Sequence, residues 1–399
     1  MVRSMAASAR PLTDVDFCSG SRIEELNKLL EELERRESSA VKVKDVLQSC
    51  VQAKDYIFSL IGHIHPLPSP NSLLLLSGGL CSGFLDVSPI DLGSPTPFFS
   101  PPISYTLLVP ILHLPSSDPL IQCAPCHYQL PLSLWDPSHQ HFQPTSPYVT
   151  PHMVSLWFLP SLLSVVSSIP TSLSPLSLEK AESWGNCVSL LLSTPAGLLI
   201  RFDIVPVVKV QGWPPGAQYV DDIGTDDDGT TRLFHLLPWG PEGQWRVGFP
   251  GIELFMRRCL PVALSRVLRA SMAVLRHALQ EKGAPGPYVV WVTLLQACAR
   301  LPQGYLCREQ NAALCFLGLL EELTHSFLQG SCPNPFLPGC DLLRGNPIGP
   351  YLARRVSGVR AQPVLHLREV VRNAKEAVKG GEKDEKEERE DKGSTCYPS

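Results

Sequence analysis

The residues of this chain that could do chemistry are sparse, and their spacing limits what that chemistry would be. Cys123-x-x-Cys126-His127 has the interval of a covalent haem attachment. It sits among prolines and serines, with no secretory leader and no evident distal ligand, so the interval reads as coincidence. Cys332 and Cys340 flank a proline-rich turn with His325 nearby. A zinc site would need a fuller ligand set, so these read as packed or free thiols. Asp221, Asp222 and Asp226 to Asp228 could draw a cation, although an acidic loop is commonly just a solvated surface. Asp203 stands alone between Phe202 and Ile204 and reads as a hydrogen-bonded edge of the core. Ser77-Gly78-Gly79 follows Leu73–Leu76, as a tight turn follows a buried strand. His235 and His277 have no partner in the pattern.

The elements that must position these residues come in two styles. Ile23, Leu26, Leu29, Leu30 and Leu33 repeat at helical spacing behind the capping-box form Ser21-Arg-Ile-Glu24. A second helix is expected over 41–60, with Gly62 as its C-cap. Strands are expected at 73–76, at 106–109 closed by Pro110, at 188–192 and at 198–210. Thr194-Pro-Ala-Gly197 would turn the last two into a hairpin. Short strands follow at 233–237 and 245–249. From Gly251 onward the spacing is helical. One stripe runs from Leu264 to Leu279, a second from Tyr288 to Leu301, and a third from Ala312 to Phe327, with a last helix over 363–378. Strands before helices predict an α+β fold. Arg257, Arg258, Arg266, Arg269 and Arg276 fall near one side of the first of these helices. That is either an ordinary solvated face or a basic docking face for an acidic protein or nucleic acid.

Composition divides the chain further. Of its 39 prolines, 20 lie between Ile61 and Leu178, and no Lys or Arg occurs in the 125 residues between Lys54 and Lys180. About eleven would be expected there at average usage. Proline removes backbone donors, so 64–180 is expected to be largely irregular, apart from the strand islands and a helix near 153–169. Leu, Ser, Pro and Phe have pyrimidine-rich codons, which leaves two readings open: a translated intron or shifted frame, and a Pro/Ser-rich loop. The 153–169 stretch is uncharged across 17 residues. That is short of the ~20 of a membrane span, and Pro160 interrupts it; a core helix is preferred. The arm 1–15 and the charged tail 380–399 are expected to be disordered. A net charge of −4 gives no reason to expect a nucleic-acid partner. Thirteen scattered cysteines without a leader predict reduced thiols in the cytosol.

Several separated segments carry a resemblance. PLTDVDFCSGSRIEELNKLL, QAKDYIFSLIG, RFDIVPVVKVQGWP and CARLPQGYL…NAALCFLGLLEEL…CPNPFLPGCDLL occur in the order seen in the male-abnormal-21 (Mab-21) family, which this chain resembles over 16–62 and 188–379. The resemblance implies a nucleotidyltransferase-like mixed sheet with flanking helices over 16–250. A helical domain of the HhH/H2TH-like kind would follow over 251–379. Nucleotidyl transfer in that fold needs a Gly-Ser turn for the phosphates and three carboxylates for two divalent cations. The resemblance places the turn at Ser77, Gly78 and Gly79 and the third carboxylate at Asp203. It places the first two at Pro102 and Ser104, which are not carboxylates. It therefore implies a pseudoenzyme that needs no cofactor: a non-catalytic signalling adaptor linked to a cytokine-receptor chain and to apoptosis. Such an adaptor would be cytoplasmic, with membrane or mitochondrial association and peripheral membrane contact allowed. An active nucleotidyltransferase or cyclic-dinucleotide synthase is the alternative, and a single-pass membrane protein a weaker third reading. Arg258, Arg266, Arg269 and Arg276 remain the candidate docking face.

Overall fold

The structure, a computed structural model, describes residues 20–39, 43–64, 74–77, 103–135, 146–168, 176–184, 186–195, 197, 199–218, 233–240, 243–276, 278–280, 283–286 and 288–373. The expected arm and tail lie outside these residues, as do Gly78, Gly79, Pro102, His277 and the acidic positions 221–228.

Helices α1 (Gly20–Ser39) and α2 (Val43–Gly62) precede strands β1 (Leu74–Ser77), β2 (Ile103–Leu114), β3 (Ile121–Ala124), β4 (His127–Pro131) and β5 (Tyr148–Val149). Helix α3 (Pro151–Ser168) leads into β6 (Ser177–Trp184), β7 (Cys187–Ser193), β8 (Leu199–Gln211), β9 (Leu233–Leu237) and β10 (Trp245–Gly248). Helices α4 (Pro250–Arg258), α5 (Val262–Leu275), α6 (Tyr288–Arg300), α7 (Ala312–Gln329) and α8 (Gly349–Ala361) follow, and α9 covers 363–373. The fold is α+β: a largely antiparallel sheet with flanking helices, then a helical unit.

β8 is the axis of the sheet. Its residues from Ile200 to Val208 are all buried, as a strand covered on both faces should be. Along one edge it pairs in parallel with β2, from Ile103↔Ile200 to Leu114↔Val210. Its other edge is shared by two antiparallel partners, β7 over Val188–Ser193 and β9 over Leu233–Leu236. β1 extends the sheet beyond β2, β6 beyond β7, and β10, β4 and β3 continue from β9. The β7–β8 hairpin turns where the sequence puts it. Gly197 takes φ 76° and donates its N–H to the Thr194 carbonyl at 2.8 Å, a conformation that favours glycine.

The described part of 64–180 is not largely irregular, contrary to its composition. It supplies β1 to β5, α3 and the first half of β6. β2 is twelve residues long and does not stop at Pro110, which pairs with Val207 before a register shift ahead of Leu112. β1 covers β2 only from Tyr105 to Leu108, so the missing N–H of Pro110 falls where no described strand asks for it. The absence of charge suits a segment whose middle is buried: Thr106 to Ile111 are all inaccessible. α3 is a core helix that buries Val154, Trp157, Phe158 and Leu162 against α2, β7 and β8.

Contacts cross the expected boundary at 250. α1 packs on α5 and α7, and the Asn27 side chain accepts the Ala313 N–H at 2.8 Å while donating to the Gln310 carbonyl at 2.9 Å. It thereby caps α7 from a distant part of the chain. α1 opens at Gly20, one residue before the expected Ser21 cap. At its far end α7 closes on Gly330 with φ 64°, the left-handed C-cap.

Candidate functional site

The hairpin register builds the first polar node. Ser189 stands opposite Asp203 on β7 and β8, and Arg201 shares a face with Asp203 because alternate strand residues point the same way. The Arg201 Nε–H donates to Asp203 Oδ1 at 2.9 Å, and its other nitrogen donates to Ser189 Oγ at 2.8 Å. Ser189 in turn donates to Asp203 Oδ1. The node is deeply buried, with Asp203 2% and Arg201 7% exposed. Burial pushes the neighbouring Cys187 thiol up to about 12, the Asp203 charge adds to this, and Arg201 offsets part of it.

Across the sheet, β2 places Ser104 opposite Arg201 and Thr106 opposite Asp203. A pair of divalent cations needs several hard oxygen ligands with compensating negative charge. Here one carboxylate is present, and a guanidinium already holds one of its oxygens. These residues do not fit such a metal pair. Among the described residues no group of three or more His, Cys, Asp or Glu is arranged to hold a metal ion. Ser77 lies in β1 opposite Tyr105; its companions Gly78 and Gly79 are outside the described residues.

The basic face expected on α5 is not an open one. Arg266 is buried and pairs with Glu34 of α1 at 2.7 Å, and Arg269 pairs with the same carboxylate at 2.6 Å. Arg257 lays its guanidinium over the Trp291 ring, 4.5 Å from the centroid. Arg276 is half-buried, and nothing is described for the Arg258 side chain. Helical spacing put these residues on one side, and α1 covers part of that side.

A second polar node, missed by sequence reasoning, lies within the helical unit, beside the sheet that α4 packs on. Tyr288 of α6 donates its hydroxyl to Glu253 of α4 at 2.8 Å and accepts from the Asn334 side chain at 3.0 Å. Burial raises Glu253 from the ordinary 4.5 to about 8; Tyr288, Arg257, Arg246 and Trp291 pull it part of the way back. The Tyr288 hydroxyl is pushed well up by burial and by Glu253.

Asn334 belongs to a self-bonded loop over 331–343. Its side-chain oxygen accepts from the Phe336 and Leu337 N–H groups at 2.9 and 3.2 Å, and its N–H reaches the Cys340 carbonyl at 2.8 Å. Asp341 Oδ1 accepts from the N–H groups of Cys332 and Leu343 at 2.7 and 2.9 Å. Cys332 is buried 3.9 Å from Thr293 Oγ1, a packed thiol. This loop meets the sheet at Phe336, which packs on Phe249 with ring centroids 5.2 Å apart. It meets the β3–β4 turn at Gly339. A Cβ on Gly339 would come within 2.9 Å of the Pro125 side chain, so only glycine allows that approach. Cys123, Cys126 and His127, noted for a haem-like interval, form this hairpin, with Cys126 in the turn and its sulfur 3.6 Å from His127 Nδ1. His235, on β9, is buried and held neutral: burial, then Lys209 and His113, lower it to about 3.

The chain is homologous to transmembrane protein 102. It is 29% identical to the Mus musculus protein over 488 aligned residues, covering 94% of this chain and 95% of the relative. It is 29% identical to the Bos taurus protein over 490 aligned residues, with the same shares covered. No protein-family model matches the chain. The relatives' name suggests a membrane link, yet among the described residues no helix is long and apolar enough to cross a membrane.

Proposed function

We propose that this chain is a non-catalytic signalling adaptor built on a degenerate nucleotidyltransferase-like scaffold of the Mab-21 kind, with an HhH/H2TH-like helical unit. The observation that carries the reading is the arginine on Asp203. Phosphoryl transfer of this type relies on cations and fixed charge around the triphosphate. At the position where the resemblance puts the third metal carboxylate, a buried guanidinium and a serine hydroxyl occupy Asp203 instead. The opposed β2 residues are Ser104 and Thr106. Asp203 then serves the fold: it neutralises Arg201 inside the sheet and ties β7 to β8.

Homology to transmembrane protein 102 supports a role at or near a membrane without requiring a span. The outer face of α3 exposes Leu156 and Leu163, which suits peripheral contact. By the resemblance, the partner is a protein, a cytokine-receptor chain, and the output bears on apoptosis. The test is incubation of the purified chain with ATP, GTP and Mg²⁺ or Mn²⁺, with and without double-stranded DNA. No nucleotide product is expected. A product that disappears in Asp203→Asn would overturn the reading.

A further inference from the structure

Cys126 and Cys340 come from distant parts of the sequence and meet where the β3–β4 turn presses on the 331–343 loop. Both are free thiols, Cys340 buried and Cys126 half-exposed. Both are fixed by backbone as well as by packing. The Cys126 carbonyl accepts the Val247 N–H at 2.9 Å, the Cys340 N–H reaches the Leu337 carbonyl at 2.8 Å, and the Cys340 carbonyl accepts from Asn334 at 2.8 Å. The contact between Gly339 and Pro125 holds the two backbones together one residue away from each sulfur. An open groove of about 500 Å³, lined by Cys123, Pro125, Pro215, Leu337 and Gly339, brings solvent to this corner.

The surroundings of the two sulfurs differ in a useful way. The Cys126 sulfur lies 3.6 Å from His127 Nδ1, with Cys340 and Arg246 close enough to act on it electrically. These, Cys340 first, lower it from 9.0 to about 5 against the opposing effect of burial. Cys340 is pushed up, first by Cys126 and then by burial. One sulfur is thus prepared as a thiolate, the reactive form, and the other stays a protonated neighbour.

We propose that Cys126 and Cys340 are a peroxide-responsive dithiol that closes a reversible disulfide between the sheet and the helical unit. The Cys126 thiolate attacks one oxygen of hydrogen peroxide. An S–O bond forms, the O–O bond breaks, and hydroxide leaves and takes up a proton as water. Cys340 then loses its proton and attacks the Cys126 sulfenic acid. An S–S bond forms and the hydroxyl departs as a second water. Each sulfur gives one electron and the peroxide takes two. A thiol such as glutathione reverses the link by exchange. The approach of Gly339 to Pro125 brings the two segments together beside the sulfurs.

The test uses the full-length, fully reduced chain. It is titrated with hydrogen peroxide, the remaining thiols are alkylated under denaturing conditions, and the peptides are mapped by mass spectrometry. A linked peptide pair containing Cys126 and Cys340, lighter by two hydrogens and lost on reduction, is expected first. In Cys340→Ser, a sulfenic acid at Cys126 that reacts with dimedone is expected instead. A measurement without any variant stands beside these. At pH ~6 an ordinary thiol has far less thiolate, but each thiolate is more nucleophilic; together these make iodoacetamide labelling of Cys126 roughly 5–10-fold faster than that of free glutathione, used as the reference thiol. The Cys126 rate should be nearly flat from about pH 6 to 8, where ordinary thiols speed up about tenfold per unit. A Cys123–Cys126 link overturns the proposal. So does oxidation at the exposed thiols that leaves Cys126 and Cys340 reduced, or a Cys126 rate that rises with pH like that of glutathione.

Discussion

Glu253→Gln should remove a pH dependence of stability that this carboxyl builds into the fold. Glu253 is 1% exposed and titrates at about 8 in the fold against 4.5 for an ordinary glutamate. The folded state therefore binds its proton more tightly than the unfolded chain does, and the sign follows from linkage. Its contribution is fully present below about pH 4.5, declines as pH rises through the window, and is lost above about pH 8. At about 1.4 kcal/mol per pKa unit, the loss between pH 5 and 8 comes to roughly 3 kcal/mol. Glutamine is close to the protonated carboxyl in shape, keeps an oxygen to accept from Tyr288, and cannot ionise. Wild type and variant should then be about equally stable near pH 5, and the variant roughly 3 kcal/mol more stable near pH 8. Urea unfolding of both proteins across this range isolates the effect, because titrating groups that do not interact with Glu253 cancel in the difference. A difference that does not change with pH would refute both the buried neutral carboxyl and the reasoning from it.

Arg201→Met should leave Asp203 charged and unpaired inside the sheet at a cost of about 3–5 kcal/mol, with the double variant Arg201→Met, Asp203→Met costing less than the single one. Unfolding midpoints test this, and a single variant within about 1 kcal/mol of wild type would contradict the buried node. Glu34→Ala should strip Arg266 and Arg269 of their common partner and loosen α1 from α5 by about 1–3 kcal/mol. Faster amide exchange in α1 than in α7 would report it, and unchanged exchange would mean that the pairs carry no stability. In cell fractionation, alkaline washing should release the chain from membranes, because α3 buries Val154, Trp157, Phe158 and Leu162 in the core; retention would reopen a spanning role.

Much of this architecture is legible in local pattern. The helical stripes, the hairpin at Thr194-Pro-Ala-Gly197 and the continuous apolar run of β8 are properties of neighbouring residues, and they appear in the fold where the pattern puts them. The Arg201–Ser189–Asp203 node was nearly legible as well. The turn fixes the hairpin register, the register sets Ser189 opposite Asp203, and the strand period puts Arg201 on the same face. What pattern missed was set by partners far away in sequence. The spacing of Arg266 and Arg269 gives one side of a helix, but only the fold says that Glu34 of α1 covers it. Pro110 reads as a stop because proline lacks a donor, and whether a donor is needed depends on where β1 ends. The haem-like interval at Cys123 to His127 is a two-residue turn between strands. Its one unusual neighbour, Cys340, is more than two hundred residues away in sequence.

One cation, Arg246, acts on both sides of the junction between sheet and helices. Its charge lowers both Cys126 and Glu253, so it stabilises a thiolate on one side and a carboxylate on the other. A single cation shared by two acids favours each less when the other is already ionised. While Cys126 is a thiolate it partly satisfies Arg246, and Glu253 keeps its proton to higher pH. Oxidation to the Cys126–Cys340 disulfide removes that negative charge and leaves the field of Arg246 to Glu253 alone. The carboxyl should then ionise at lower pH, and the window in which wild type and Glu253→Gln differ in stability should shift down and narrow. Coupling of this kind is reciprocal, but Cys126 is already a thiolate well below the pH at which Glu253 ionises, so Glu253→Gln should leave Cys126 labelling unchanged from about pH 6 to 8. Comparing the pH dependence of urea unfolding in the reduced and oxidised chains, for wild type and Glu253→Gln, tests the shift. If the window stays in place on oxidation, Arg246 does not link the two groups, and the junction holds two independent sites.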